Sequence, residues 1–285
     1  MNQKVALITG ASTGLGFETS ILLAKNGYKV YATMRNLEKQ EDLINKAQEL
    51  NLDIYTKHLD VTNVDNINRV VNDIVETEGR IDILVNNAGA GFVKTTELAT
   101  DEEIMWKVNL NLMGVIRMTK AVLPTMRSQR DGRIINISSV GGLVGQPFNE
   151  IYCATKFGVE GYTESMASYV QPKFNIKFTV IEPGGIQSEF TNNVMSQLQS
   201  TGGLKDDEYK PILDKYLGGL KENYGTGSSQ TSEEVAEVIL KTLEMNEPPI
   251  RTRTSEWSET FTQLKTKADP DGKEQQQRVV KLLGK

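Results

Sequence analysis

The stretch KVALITGASTGLGFETSILLAKNG (residues 4–27) decides the fold. KVALITG is an apolar run typical of a buried β-strand, and LGFETSILLAKNG has the apolar spacing of an amphipathic helix. Phe17, Ile21 and Leu22 fall on one face of that helix, and Gly27 marks its predicted C-terminal end. A strand, a glycine-rich loop and a helix in this order predict the first unit of an α/β sheet.

The same alternation of strand and helix patterns continues to about residue 190. Further strands are predicted in YKVYAT, DIYTKHLDV, IDILVNNAG, RIINISS and NIKFTVIEPGG. A long helix is predicted over residues 101–130, with Pro124 expected to bend or end it. The repeated βα order predicts a Rossmann-type, doubly wound parallel sheet with helices on both faces. We expect about seven strands in the order 3-2-1-4-5-6-7.

The pattern loosens after residue 190. Residues 191–223 are punctuated by glycines and are predicted to form a mobile substrate lid. GTGSSQTS reads as a loop, SEEVAEVILKTLE as a helix capped by Ser232, and PIRTRT as a last edge strand. Residues 254–285 form a charged C-terminal extension, expected to be a surface helix with a loose end. We find no internal repeat or low-complexity linker, and therefore predict a single domain over residues 1–285.

Composition excludes several classes of protein. The 285 residues carry a net charge of -5, with a pI near 5.2 and a mean hydropathy of -0.37, which argues against nucleic acid as a partner. No apolar run is long enough to span a bilayer and no secretory signal is visible, so we expect a cytoplasmic protein without a membrane partner. Cys153 is the only cysteine, which suits a reducing compartment, and His58 is the only histidine. We therefore expect no metal site and no histidine-based triad.

The loop TGASTGLG (residues 9–16) carries the first functional prediction. Gly10, Gly14 and Gly16 allow the backbone to approach a pyrophosphate at the N-terminus of the following helix. Three glycines can also mark an ordinary tight turn, but the strand–loop–helix context favours dinucleotide binding. The end of the second strand, VYATMRN, has no carboxylate for a ribose hydroxyl and instead has Arg35, which suits a 2′-phosphate unless it is a surface residue only. We therefore predict NADP(H) in preference to NAD(H), with Asp60 placed to contact the adenine.

Tyr152 and Lys156, in EIYCATKFGVEG, lie four residues apart and share one face of a predicted helix. An isolated pair with this spacing is more often a solvated lysine beside an interfacial tyrosine. Beside a dinucleotide, however, the lysine and an oxidised nicotinamide would favour the phenolate and bring the Tyr152 pKa toward working pH. Ser139 could donate a hydrogen bond to the developing alkoxide. The group therefore predicts acid–base chemistry coupled to hydride transfer by the cofactor.

Five motifs occur together in a known order: TGASTGLG, NNAG, SS, YCATK and EPGGIQS. In this combination the chain resembles the short-chain dehydrogenase/reductases over roughly its first 190 residues. The stretch SVGGLVGQPFNEIYCATKFGVEG resembles in particular the branch that holds 17β-hydroxysteroid and retinol dehydrogenases.

The resemblance implies four catalytic roles. Tyr152 would donate a proton to a carbonyl or remove one from a hydroxyl, and Lys156 would lower its pKa and hold the nicotinamide ribose. Ser139, rather than Ser138, would orient the carbonyl. Asn111, rather than Asn109, would hold a water in a proton relay to the lysine.

The cofactor contacts that we expect follow the glycine loop and the strand ends. Ile186 would contribute main-chain hydrogen bonds, and Ser188 stands where the family more often has threonine. Tyr152 and Lys156 would also touch the cofactor. Besides these residues, the three glycines, Arg35 and Asp60, the expected contacts are Ser12, Thr13, Leu15, Val61, Asn87, Ala88, Gly89, Pro183 and Gly184.

Substrate contacts are expected from residues 91–93, 141–148 and the region after 188. The small and apolar composition of these segments predicts a neutral, fairly hydrophobic ketone or secondary alcohol. The enzyme would thus be a carbonyl reductase or alcohol dehydrogenase. A non-catalytic NADP-binding regulatory protein is an alternative, as is a sugar epimerase or dehydratase, although those relatives usually have the loop TGxxGxxG.

One predicted helix carries a stripe of small residues. The stripe comprises Ala154, Gly158, Gly161, Ser165 and Ser168. It predicts either close packing on the protein's own sheet or a subunit interface, and family resemblance implies a homodimer or homotetramer.

Overall fold

A computed structural model describes residues 3–187, 207–224 and 229–282, without the side chains of residues 217 and 220–224. Ser188 and residues 191–206 of the predicted lid lie outside the described residues, as do residues 225–228 and 283–285. Whether the lid moves, and whether the chain is one domain, therefore remain predictions.

The described strands and helices alternate as the sequence predicts. The strands are β1 (Val5–Thr9), β2 (Lys29–Met34), β3 (Ile54–His58), β4 (Ile83–Asn86), β5 (Gly132–Ile137), β6 (Ile176–Glu182), β7 (Gly185–Gln187), β8 (Ser229–Thr231) and β9 (Arg251–Arg253). The helices are α1 (Gly14–Lys25), α2 (Glu41–Glu49), α3 (Val64–Glu78), α4 (Asp101–Val108), α5 (Gly114–Gln129), α6 (Glu150–Phe174), α7 (Lys210–Tyr224), α8 (Ser232–Glu244), α9 (Glu256–Thr266) and α10 (Lys273–Lys281).

The main sheet is parallel throughout and, within the described residues, has seven strands in the order β3-β2-β1-β4-β5-β6-β9. The predicted order is confirmed, with β9 in the seventh place. Ala6 of β1 lies between Val30 of β2 and Ile83 of β4, so the chain leaves β1 on one side and returns on the other. This reversal opens a crevice at the carboxyl edge of the sheet, where α/β proteins bind ligands.

Alternate residues of each central strand supply the two layers of the core, because successive side chains point to opposite faces. Leu7 packs in a cluster with Met118 of α5, whereas Ile8 packs in a second cluster with Leu23 of α1 and Val235 of α8. Leu7 and Ile8 are both completely buried. Helices therefore cover both faces, as the doubly wound fold requires.

The helix predicted over residues 101–130 is interrupted. A π-helical turn, Asn109–Met113, separates α4 from α5. Pro124 lies inside α5, which continues to Gln129, so the alternative that the proline ends the helix is wrong. Single π-turns are frequent at functional sites, and this one holds Asn111.

Two local predictions are corrected near residue 230. The N-cap of α8 is Thr231 and not Ser232. The Thr231 hydroxyl accepts from Glu234 N, and the Glu234 carboxylate accepts from Thr231 N. The predicted loop GTGSSQTS contains β8, which pairs in parallel with β7. This short second sheet connects the segment after β6 to α8.

The C-terminal extension forms two helices, α9 and α10, where the sequence indicates only weak periodicity. Gln276 of α10 donates to the Ala167 carbonyl of α6 at 2.8 Å, so the extension packs on the central helix. None of the helices in the described ranges combines the length and the apolar character needed to cross a membrane.

Candidate active site

The glycine loop joins β1 to α1, and its backbone conformation and close contacts require glycine at three positions. Gly10 and Gly14 have φ of +69° and +59°, in the left-handed region. A Cβ at Gly16 would lie 2.3 Å from the Gly10 carbonyl oxygen and 2.6 Å from Asn87 Nδ2. Thr13 caps α1 without a side-chain hydrogen bond, and the first turn has no acidic residue. The loop therefore presents the free N–H groups of a helix N-terminus to the crevice, which fits a pyrophosphate.

Thr9 and Asn87 fasten this loop to the end of β4. Thr9 Oγ1 accepts from the backbone N–H groups of Asn87 and Ala88, each at 3.0 Å. Asn87 Nδ2 donates to the carbonyl oxygens of Thr9 and Gly10 at 3.0 and 2.9 Å. The Asn87 side chain is thus engaged in holding the loop. Thr9 is not among the predicted site residues, although its position directly before the first glycine was a signal.

The ends of β2 and β3 hold the residues expected near the adenosine. Arg35 directly follows β2, is exposed, and forms no ion pair with any residue of the described ranges. Asp60 Oδ1 accepts from Thr62 N and Oγ1 at 2.8 and 2.7 Å, which fixes the carboxylate in the loop after β3. The side chains of Leu15 and Val61 are buried in the core, so any cofactor contact they make must use the main chain.

Asn111 joins the π-turn to the loop after β4. Its Oδ1 accepts from Ala90 N and its Nδ2 donates to Ala90 O, both at 2.9 Å. A Cβ at Gly89 would lie 3.3 Å from Asn111 Oδ1 and 3.9 Å from Lys156 Nζ, so Asn111 and the lysine approach the same glycine. Asn109, the alternative candidate, instead accepts from Arg117 Nη1 on the same helix.

Tyr152, Lys156 and Ser139 come together where α6 crosses the end of β5. Lys156 Nζ donates to the Ile137 carbonyl at 2.8 Å and lies 5.6 Å from the centre of the Tyr152 ring. The Tyr152 hydroxyl is hydrogen-bonded to Ser139, whose Oγ also accepts from Gly141 N at 3.1 Å. The helical spacing of four residues and the turn after β5 therefore produce the predicted constellation.

Burial changes the acidity of both reactive groups. It raises the pKa of Tyr152 to about 12, against the opposing hydrogen bond from Ser139. It also lowers the pKa of Lys156 to about 8, against the opposing charge of Glu160. The protein's own groups thus keep Tyr152 as a phenol, whereas the expected fall of its pKa toward working pH includes the charge of an oxidised nicotinamide and stays a prediction. A phenol is the state that can donate a proton to a carbonyl.

The segment after β6 closes the edge of the crevice. The Pro183 carbonyl accepts from Val140 N at 2.9 Å, and Ile186 is paired with Gln230 between β7 and β8. A Cβ at Gly184 would lie 2.8 Å from the ring of Trp257 in α9. The C-terminal extension therefore supports this segment, a contact that the sequence did not reveal.

A second buried lysine, Lys107 of α4, was not predicted. It is fully buried, and its Nζ donates to the Gly91 carbonyl, in a segment expected to contact substrate. The rings of Trp106 and Phe92 lie 4.6 and 5.4 Å from Nζ. Burial lowers the pKa of Lys107 to about 8, against the charge of Glu103. The sequence MWKV gave no signal that this lysine points inward.

A cavity of about 450 Å³ lies beside the start of α6. Its lining includes Thr95, Phe148, Ile212 and the carboxylates of Glu97 and Glu150. Phe148 precedes α6, and Glu150 is the first residue of the helix that carries Tyr152; Tyr152 itself is not among the lining residues. Within the described residues, no cluster of side chains suits a metal ion.

Comparison with known proteins identifies the family. The family model "short chain dehydrogenase" matches residues 4–199, more than half of the chain. The chain belongs to the short-chain dehydrogenase family. It is accordingly an oxidoreductase, and the resemblance seen in its five motifs is confirmed.

Individual relatives cover most of the chain. A 3-ketodihydrosphingosine reductase from Bacteroides thetaiotaomicron is 38% identical over 258 residues, 89% of this chain and 88% of the relative. Human 17-beta-hydroxysteroid dehydrogenase type 1 is 35% identical over 262 residues, 90% of this chain and 79% of the relative. The crystal structure of a short-chain dehydrogenase from Streptomyces avermitilis superimposes with a TM-score of 0.79 at 27% identity, covering 99% of this chain and 98% of that one.

Proposed function

We propose that this short-chain dehydrogenase is an NADP(H)-dependent enzyme that interconverts a ketone and a secondary alcohol on a fairly hydrophobic substrate. The observation that carries the proposal is the meeting of Tyr152, Ser139, Lys156 and Asn111 at the carboxyl edge of the sheet, beside the glycine loop. A lone cysteine suits the cytoplasm as the compartment.

The bound nicotinamide would supply the hydride, and the protein would supply placement and the proton. Ser139 Oγ and the Tyr152 hydroxyl would both donate to the carbonyl oxygen, which draws negative charge onto that oxygen as the hydride arrives. Tyr152 would then give up its proton. Because its surroundings keep Tyr152 protonated, the free enzyme already holds the proton that the reduction of a ketone consumes.

Lys156 and Asn111 would serve the tyrosine. A protonated Lys156, held by the Ile137 carbonyl, stabilises the phenolate that remains after proton transfer. Asn111 holds the loop at Ala90 and approaches Gly89 next to Lys156. From this position Asn111 could bind a water molecule that returns a proton to the lysine. We therefore propose that Asn111 holds this proton relay.

The proposal is tested by turnover of a panel of substrates with the Tyr152→Phe variant. The panel includes 3-ketodihydrosphingosine, estrone and small ketones, chosen because the relatives' names specify a ketosphingosine and a steroid. We expect kcat to fall by about 10³-fold, since general acid catalysis contributes on the order of 10²–10⁴-fold. Tyr169→Phe is the control, because Tyr169 lies on the same helix, half-exposed, and donates to Met166 Sδ. Unchanged turnover in Tyr152→Phe would refute the proposal.

The same panel separates the alternatives. A wild-type protein that binds NADPH but turns over no substrate would be the non-catalytic binding protein. Conversion of a nucleotide sugar without net oxidation of the cofactor would indicate an epimerase or dehydratase. The carboxylates of Glu97 and Glu150 at the cavity argue against an anionic substrate, because a like charge repels it.

The preference for NADP(H) rests on Arg35, whose exposed guanidinium has no carboxylate partner in the described part of the chain. We expect Arg35→Ser to raise the KM for NADPH by about tenfold and to leave that for NADH within about twofold, since one charge-assisted contact contributes on the order of 1.5–3 kcal/mol. Arg69→Ser, on the exposed face of α3, is the control. Equal use of NADH and NADPH by the wild type would contradict the preference.

We further propose that the enzyme is a homodimer or homotetramer. Gly158 is explained within one chain, since a Cβ there would lie 2.9 Å from Leu112 Cδ2. Gly161, by contrast, faces open space, and Phe157 and Tyr169 are exposed on the same helix. A second copy could cover this face of α6. Light scattering at micromolar concentration tests the proposal, and a monomeric mass would contradict it.

A further inference from the structure

Two buried carboxyl groups, Glu160 and Glu182, lie where the helix α6 packs on the strand β6. Glu160 follows Lys156 by one turn of α6 and is 5% exposed. Glu182 is the last residue of β6 and is 0% exposed. Each acid lies close enough to the other to alter its ionisation. Two buried carboxylates in contact repel each other and cannot both be charged without strong compensation.

The available positive charge compensates only one of them. Arg253 of β9 lies beside Glu182 in register, with Nη1 at 3.3 Å from Glu182 Oε2. That guanidinium is shared, because its Nε also donates to Glu259 Oε2 at 2.6 Å. On the other side Arg251 is engaged by Glu164, one turn after Glu160, at 3.2 Å. The charge of Glu182 is therefore balanced, and that of Glu160 is not.

The packing around Glu160 leaves little space for solvent. A Cβ on Gly142 would lie 2.5 Å from Ser138 Oγ and 2.8 Å from Glu160 Oε1. The Ser138 hydroxyl and the Glu160 carboxyl therefore both pack against the backbone of Gly142. Burial, followed by the charge of Glu182, raises the pKa of Glu160 well above its ordinary value, against the effect of Ser138. Glu182 Oε1 is buried and has no hydrogen-bond donor among the described residues. A proton on Glu160 would give Glu182 such a donor.

We propose that Glu160 and Glu182 hold one proton between them, with Glu160 as the neutral acid, and that Glu160 is a positioning residue that acts on the reaction through Lys156. The second half rests on the proposed function, whereas the first half does not. Glu160 is neutral while the pair holds its proton, and once it ionises at alkaline pH its negative charge helps Lys156 to keep its own proton. The pair also connects Arg253, and through it α9, to the catalytic helix.

The proton is tested by infrared spectroscopy of the full chain at pH 7. The wild type is expected to show the carbonyl stretch of a protonated carboxylic acid, which Glu160→Gln removes. Glu182→Gln should shift the band, because Glu160 remains buried and protonated and then faces an amide in place of a carboxylate; this second variant covers the case in which the first fails to fold. Glu164→Gln, on the same helix, is the control and should keep the band. A band that stays unchanged in both Glu160→Gln and Glu182→Gln would overturn the shared proton.

The pH dependence of the protein's stability tests the proton on Glu160 independently. The folded state keeps a proton on Glu160 that the unfolded chain releases above about pH 4.5, so the stability it provides is complete below that pH and is lost as the pH rises toward the folded pKa. Glu160→Gln has no such proton. The melting temperature of Glu160→Gln relative to wild type should therefore increase from pH 5 to 8. A constant difference would overturn the proposal.

The positioning role is tested by the pH profile of kcat/KM. The alkaline loss of activity in Glu160→Gln should begin at lower pH than in wild type, because Lys156 then lacks the neighbouring negative charge that raises its pKa. Glu164→Gln should follow the wild-type profile. Superimposable profiles in all three proteins would overturn the positioning role and leave the shared proton intact. If no substrate is found, the proposed function fails, and the spectroscopic and thermal results still decide the proton.

Discussion

Lys156 and Lys107 are two buried lysines that share almost every local property. Burial lowers the pKa of each to about 8, and each donates from Nζ to a backbone carbonyl, of Ile137 and Gly91 respectively. Their surroundings differ. Lys156 lies under the ring of Tyr152, next to Ser139 and Asn111, whereas Lys107 lies between the rings of Trp106 and Phe92. A lowered pKa therefore does not by itself distinguish the proposed catalytic lysine, Lys156, from Lys107, and the proposal rests on the groups around Lys156.

The largest expected difference between the two lysines is in turnover. Lys156→Met should lower kcat by about 10³-fold, roughly 4 kcal/mol, because the phenolate of Tyr152 then forms without a neighbouring cation. Lys107→Met should change kcat by less than about threefold, since Lys107 touches no group of the constellation. Steady-state kinetics of both variants with the same ketone measures the contrast. Equal losses would show that the two sites act as one unit.

The next largest effect is on stability, where the two lysines should behave alike. Between pH 8 and 10.5 the unfolded chain holds a proton on Lys107 that the folded state has released, so the wild type gains stability as the pH rises. The gain is about 3 kcal/mol across this window, at about 1.4 kcal/mol per unit. Urea unfolding of wild type and Lys107→Met at pH 7.5 and 10 measures it. A stability difference independent of pH would mean that the pKa of Lys107 is not lowered in the folded state, so that Lys107 keeps its proton across this window.

A smaller effect is expected at alkaline pH, where kcat/KM should fall by about tenfold for each unit of pH above the pKa of Lys156. This ratio reports groups of the free enzyme, and deprotonation of Lys156 near pH 8 removes the cation beside Tyr152. Because Lys107 titrates in the same range, the wild-type profile alone does not distinguish the two. Lys107→Met should retain this alkaline limb unchanged. If the alkaline limb disappears in Lys107→Met, the group that titrates near pH 8 is Lys107 and not Lys156.

The comparison also explains what the sequence could and could not predict. Tyr152, Lys156 and the glycine loop are recognisable because helical spacing and the glycines that a positive φ requires, here Gly10 and Gly14, are local properties of the chain. Lys107 was missed because its burial depends on a loop and two rings brought over it by the tertiary fold. The burial of Glu160 was missed for the same reason.

Other errors have the same origin. The π-turn around Asn111 inserts a residue into a pattern that reads as one continuous helix, and no sequence period signals it. The strand β8 exists only because β7 lies beside it, and Trp257 is placed against Gly184 by packing of the C-terminal helices. Pairing between distant segments is not encoded in a local window.

The smallest expected effect concerns substrate binding at Lys107. This lysine fixes the Gly91 carbonyl, and Lys94 N donates to the Phe148 carbonyl at 2.9 Å, so the loop after β4 is held on both sides. Lys107→Met leaves the Gly91 carbonyl without its donor and should loosen the loop, raising the KM for the ketone by about threefold, which is below 1 kcal/mol. Lys94→Met is the control, because it removes an ion pair with Glu103 and keeps both backbone contacts. If KM stays constant while kcat falls, Lys107 serves the reaction and not the substrate loop, and the distinction between the two lysines is lost.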